Sequence, residues 1–263
     1  MNLAISNIGW SGENDNRVYS LMGKYGYTGL EIAPTRIFPE NPYEHLIEAK
    51  QWANGLADTY GFIIPSMQSI WYGRTEKIFG SDDERKALLA YTKKAILFAN
   101  SIGCSNLVFG CPKNRCIPED GDIEVAIYFF KEIGDYALKH HTVVALEANP
   151  PIYSTNFINT TEEAIDLLHA VDSKGCLLNL DVGTMIENHE SVSVLEGNVH
   201  LINHIHVSEP GLKPIQKRDI HQDLYLLLHD NKYGGYVSIE AGRQDNLSVL
   251  EETMAYVATT MQA

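Results

Sequence analysis

No stretch of the 263-residue chain approaches the roughly 18 consecutive apolar residues that cross a bilayer, and no basic segment precedes an apolar run in the opening MNLAISNIGWSG. These absences predict a cytoplasmic protein with no membrane partner. Cysteine is scarce: Cys104, Cys111, Cys116 and Cys176 form neither a CxxC pair nor a finger-like Cys/His spacing. Reduced thiols are expected rather than a disulfide frame or structural zinc. Positive charge is also in short supply, with 20 Lys plus Arg against 34 Asp plus Glu and a formal net charge of -14. Such a field repels a polyanion and argues against nucleic acid as a partner. Pro/Ser-rich linkers and low-complexity tracts are missing, so a single domain is expected over residues 1–263. The Gly-rich phosphate turn of an open dinucleotide-binding sheet is missing too, because Asn7-Ile8-Gly9-Trp10-Ser11-Gly12 does not fit GxGxxG. What is present is an ordinary globular balance, 44% hydrophobic and 21% charged.

Short β-rich apolar runs alternate with longer segments of helical periodicity, the pattern of βα units on a parallel sheet. Eight runs are read at Leu3–Ile8, Gly29–Ile32, Ile63–Gln68, Asn106–Gly110, Thr142–Glu147, Leu177–Asp181, His204–Val207 and Tyr236–Glu240. Helices are expected near 14–24, 43–60, 82–102, 122–140, 160–172, 190–200, 216–230 and 246–260. Ser81-Asp82-Asp83-Glu84 and Asn159-Thr160-Thr161-Glu162 supply caps and early acids at two helix starts. Eight units at about 30 residues each match the α/β class, as a single (β/α)₈ TIM barrel.

The active face of such a barrel lies at the strand C-termini. Four consecutive apolar strands close there on an ionisable residue: Glu147, Asp181, His206 and Glu240. One such residue is ordinarily a solvated loop group or a hydrogen-bonded core group. Four in register are better explained by a shared dication, since three carboxylates and an imidazole buried singly would each be costly. The oxygen-rich set suits one divalent ion, manganese first, with magnesium, cobalt or zinc as alternatives. His204 shares the face of His206 and is placed one layer deeper.

Leu146-Glu147-Ala148-Asn149-Pro150, Leu180-Asp181-Val182-Gly183-Thr184, His204-Ile205-His206-Val207-Ser208-Glu209 and Ser238-Ile239-Glu240 give the chain, over nearly its whole length, a resemblance to the xylose-isomerase-like barrels. That family includes sugar epimerases, inosose dehydratases and hydroxypyruvate isomerases. The resemblance implies that Glu147, Asp181, His206 and Glu240 bind the metal, and that Glu147 and Glu240 are the acid/base pair of a sugar isomerase or epimerase working through an enediolate. A dehydratase on the same metal site is the alternative. Three positions depart from the ketose 3-epimerase pattern: Thr184 replaces a His, Tyr153 a Glu and Leu212 an Arg. The metal core is kept while the substrate-holding shell differs.

Other residues near the mouth are expected to contact substrate: Glu31, Gln68, Trp71, Lys113, Arg115, Tyr153, Glu209 and His221. Lys113 and Arg115 after the fourth strand suit a sugar phosphate or sugar acid. Trp71 offers aromatic surface of the kind sugar pockets use, with packing under its loop as the competing reading. The partner is therefore a small carbohydrate, with a homo-oligomer left open. A DNA-repair endonuclease on the same barrel needs extra His ligands, whereas strands two and three end in Glu31 and Gln68. A barrel that binds a sugar without turning it over is the other rival.

Overall fold

In the computed structural model, which describes residues 1–261, all eight expected strands form and pair in parallel. They are β1 (Asn2–Ser6), β2 (Gly29–Glu31), β3 (Ser66–Met67), β4 (Asn106–Phe109), β5 (Val143–Glu147), β6 (Cys176–Asp181), β7 (Ile202–Val207) and β8 (Tyr236–Ile239). Their order is β2-β1-β8-β7-β6-β5-β4-β3. The ring is completed between β2 and β3 by two isolated bridges, Gly29 to Ile63 and Ile32 to Met67. A (β/α)₈ TIM barrel results.

Between the strands run α1 (Asp15–Tyr25), α2 (Pro34–Ile37), α3 (Leu46–Tyr60), α4 (Asp82–Ser101), α5 (Ile123–Lys139), α6 (Thr161–Val171), α7 (Val182–Glu187), α8 (Asp219–Asp230) and α9 (Leu247–Met261). Ser81 caps α4 in a full capping box with Glu84, Asp122 caps α5 through the Glu124 amide, and Thr160 caps α6 through the Glu163 amide. The helix expected at 190–200 is a correction. The helix after β6 is α7, which begins directly after Asp181, whose side chain caps it through the Thr184 amide. Residues 190–200 instead hold short 3-10 turns at Val192–Leu195 and Val199–Leu201, separated by Gly197 in the left-handed region. Three β-branched residues, Val192, Val194 and Val199, and that glycine oppose a continuous helix.

Period-two alternation sorts the strand residues. Leu107, Phe109, Val144, Leu146, Leu178, Leu180, Ile205 and Val207 are fully or almost fully buried in the hydrophobic core shared with the helices. Each contributes roughly 1.5–3 kcal/mol of burial. The alternate positions fill the barrel interior with small and polar side chains that hydrogen-bond across strands: Gln68 to Ser6, Asn106 to Ser66, Asn179 to Glu147. Register then sets the site. Asp181 pairs with His206 and Glu147 with Asn179, so the strand-end residues stand level at one end.

Candidate metal centre

Glu147, Asp181 and His206 close β5, β6 and the inner face of β7, and Glu240 follows β8, with its amide donating to the Val207 carbonyl at 3.0 Å. One ligand atom from each of these four residues lies within 4.8 Å of all the others. His206 Nδ1 is 3.0 Å from Glu147 Oε1 and 3.2 Å from Glu240 Oε2. Glu147, Asp181 and Glu240 line a cavity of about 180 Å³, together with Gln68, Cys111, Tyr153 and Leu212, and His206 stands beneath them.

Each of the three carboxylates is held by neighbours. Asn179 Nδ2 donates to Glu147 Oε1 at 2.7 Å and Asn149 Nδ2 to Oε2 at 3.0 Å. Ser208 Oγ and the Thr184 amide donate to Asp181 Oδ1 at 2.6 and 2.8 Å. Gln68 Nε2 donates to Glu240 Oε1 at 2.9 Å. A side chain at 110 would press on the Glu147 carboxylate, since a Cβ there would stand 2.8 Å from Oε2. Neither Asn179 nor Asn149 was expected from the sequence. Asn179 could have been found from its position two residues before Asp181, on a strand whose period-two pattern marks both.

The electrostatics fit a cation. Burial, followed by the charges of Glu147 and Glu240, pushes the Asp181 carboxyl up to about 7. Burial also raises Glu240, against the opposing pull of His206. Burial alone would lower His206, but Glu240, Glu31 and Glu147 together hold its imidazole well above the usual range. Three buried carboxylates around one imidazole carry more negative charge than the imidazole can balance, which is the condition a divalent ion relieves. Cys111 also lines the cavity, but burial pushes its thiol up to about 12, so it offers no thiolate.

The remaining expected contacts divide sharply. Gln68 and Tyr153 line the cavity. The Tyr153 hydroxyl accepts the Gly211 amide at 2.8 Å, linking two loops over the mouth, and burial pushes its ionisation up to about 12. Lys113 is exposed on the turn Pro112–Asn114, outside the residues that line the cavity.

Five further residues expected to contact substrate lie outside the residues that line the cavity. Arg115 is fully buried, giving Nη1 to the Glu147 carbonyl at 2.8 Å and Nη2 to Asn149 Oδ1 at 2.9 Å and the Ile158 carbonyl at 3.3 Å. Its guanidinium is engaged by two backbone carbonyls and the Asn149 side chain, and the residue is not among those that line the cavity. Trp71 packs edge-on against Phe109 and donates to Thr92 Oγ1 at 2.8 Å. Glu209 is 2% exposed and clasps Arg218 through both oxygens, at 2.7 and 2.6 Å. His221 faces α9, with Nδ1 2.8 Å from Tyr256 Oη. Glu31 has no exposed surface and lies behind His206, with Oε2 2.9 Å from Nε2. Burial would raise its carboxyl, but His206 and His204 hold it well below the usual range.

The positions that depart from the ketose 3-epimerase pattern have local roles. Thr184 is buried and donates Oγ1 to the Ala148 carbonyl at 2.8 Å, while Leu212 lends the cavity an apolar wall. The second cluster of suitable donors, Glu31, His204 and His206, shares its imidazole with the first and is wholly buried.

A sequence profile described as xylose isomerase-like TIM barrel matches residues 20–259. A search of curated proteins finds no match. Among solved structures, a D-psicose 3-epimerase from Clostridium cellulolyticum superposes with a TM-score of 0.80 at 17% identity, covering 100% of this chain and 98% of the other. A 3-keto-D-glucoside 4-epimerase from E. coli gives 0.78 at 19% identity, covering 98% and 99%. A Brucella melitensis protein described as an AP endonuclease, family 2, gives 0.75 at 17% identity, again covering 98% and 99%. At these identities the likeness is one of fold. Among the described residues no helix is long and apolar enough to cross a membrane.

Proposed function

Because the chain belongs to the xylose isomerase-like TIM barrel family, we propose that it is a divalent-metal-dependent isomerase or epimerase that moves a proton at the carbon beside a carbonyl of an uncharged sugar or related polyol. The observation that carries this reading is the placement of Glu147 at the end of β5 and Glu240 directly after β8, both against His206 Nδ1 and both on the same cavity.

Glu147, Asp181, His206 and Glu240 would hold the ion, and the oxygen-rich donors with one imidazole favour manganese or magnesium over a thiolate-seeking metal. When bound, the ion polarises substrate oxygens and offsets the negative charge that develops as the proton leaves. The protein's own part is positional. Glu147, braced by two amide donors, presents a carboxylate to one side of the cavity and accepts the proton from carbon. Glu240, braced by Gln68, returns a proton from the other side. Leu212, Val108 and Pro112 form an apolar wall that keeps water from the reacting carbon.

The substrate is neutral in this reading. No Lys or Arg is among the residues that line the cavity, and Arg115 is engaged by two backbone carbonyls and the Asn149 side chain. With no Lys or Arg facing the three carboxylates, no side chain is placed to pair with a phosphate or sugar acid. The small cavity and the net charge of -14 likewise favour a small molecule over nucleic acid.

The test is incubation with Mn²⁺ in deuterated water across ketoses, inososes and 3-keto sugars, with phosphorylated counterparts alongside. Deuterium should enter beside the carbonyl of a neutral substrate, and Glu147→Gln and Glu240→Gln should each slow it by roughly 10²–10⁴-fold. A protein that binds Mn²⁺ and these sugars yet exchanges no proton is a passive binder, and the reading fails.

A further inference from the structure

We propose that Glu31 is the positioning residue of the metal centre: from behind His206 it holds the imidazole with a proton on Nε2, so that Nδ1 faces Glu147, Asp181 and Glu240. The inference rests on the metal-centre reading above and assigns to it a residue that meets neither ion nor substrate.

The geometry is directional. Glu31 Oε2 lies 2.9 Å from His206 Nε2, on the side of the ring away from Nδ1, which is 3.0 Å from Glu147 and 3.2 Å from Glu240. A neutral imidazole carries one proton and, left alone, distributes it over both nitrogens. Only the form with the proton on Nε2 offers a lone pair from Nδ1. A carboxylate against Nε2 selects that form and orients the ring. His204 Nε2 also lies 2.9 Å from Glu31 Oε2, so the carboxylate serves both imidazoles, with the aligned hydrogen bond going to His206.

The carboxylate is itself braced. Gln68 Nε2 reaches Glu31 Oε1 at 3.2 Å, Glu240 Oε1 at 2.9 Å and Ser6 Oγ at 2.8 Å. One side-chain amide thereby couples the residue behind the β7 ligand to the ligand that follows β8. A carboxylate with no exposed surface is expensive, and an apolar side chain of similar volume would fill the space at lower cost if packing were its only task.

Two measurements test this. By titration calorimetry, Glu31→Leu and Glu31→Gln should bind Mn²⁺ about 10–100-fold more weakly than the parent chain, the range typical of removing a group that orients a ligand. Their far-ultraviolet dichroism and sugar-free fold should be unchanged. In the unmutated protein, ¹⁵N NMR of His206 should show a slowly exchanging proton on Nε2 both without metal and with diamagnetic Zn²⁺, whether or not Nδ1 is protonated. A folded variant that binds Mn²⁺ within twofold of the parent, or a His206 lacking the Nε2 proton, overturns the role of Glu31. Absence of Mn²⁺ and Zn²⁺ binding by the parent overturns the metal centre itself, a separate outcome. If neither variant folds, the NMR result decides alone.

Discussion

At the residue scale the clearest contrast is between ionisable groups brought together and those kept apart. His221 is 1% exposed, and burial lowers its imidazole to about 4. The unfolded chain takes up this proton near pH 6.5, whereas the folded chain resists until about pH 4. The stability contribution is therefore complete above about pH 6.5 and disappears as the pH falls toward 4, amounting to about 3 kcal/mol. Urea unfolding at pH 7 and pH 4.5 should show a smaller acid loss in His221→Gln than in the parent. Equal losses would mean that His221 is protonated in the folded protein.

The same scale shows what sequence can and cannot reveal. The four residues of the candidate metal site were legible because each ends an apolar strand, and strand ends face the mouth. Glu31 ends a strand as well, but sequence does not disclose that His206 covers it. Arg115 follows Cys111, a non-glycine residue at φ 45° that turns the chain back under the rim and carries the guanidinium to the Glu147 carbonyl. No local pattern announces that reversal. His221 has ordinary helix-start surroundings, and only the packing of α8 on α9 reveals its burial.

At the element scale, strand positions were more legible than helix positions where capping was ambiguous. Asp181 serves both as a candidate ligand and as the cap of α7, so the helix starts directly after the strand's last residue and not eight residues later. Where caps were explicit the expectation matched closely, as at Ser81 and Thr160. Asp122→Ala and Thr160→Ala should each cost about 1 kcal/mol in denaturant unfolding. The two caps serve different helices, so the double variant should lose close to the sum. A loss much larger than the sum would show that α5 and α6 unfold as one unit.

At the scale of the whole molecule, site and fold share a free energy. An ion that binds only the folded chain stabilises it by about 2.7 kcal/mol at a concentration 100 times its Kd. For a barrel of this length that should raise Tm by roughly 5–10 °C with Mn²⁺, reversed by a chelator. Asp181→Asn should abolish most of the shift, and an unchanged Tm in the parent would count against the centre.

The junction of β2 and β3 gives this coupling a mechanical form. Backbone hydrogen bonds join Leu30 to Ile63, Ile32 to Ser66 and Gln68 to Ile32, yet β3 itself is only two residues long. Directly above that thin seam, the Gln68 side chain ties Glu31 to Glu240. One carboxamide thus acts as both rivet and tuning peg, so a lineage that swaps it to alter the chemistry must also restitch the wall.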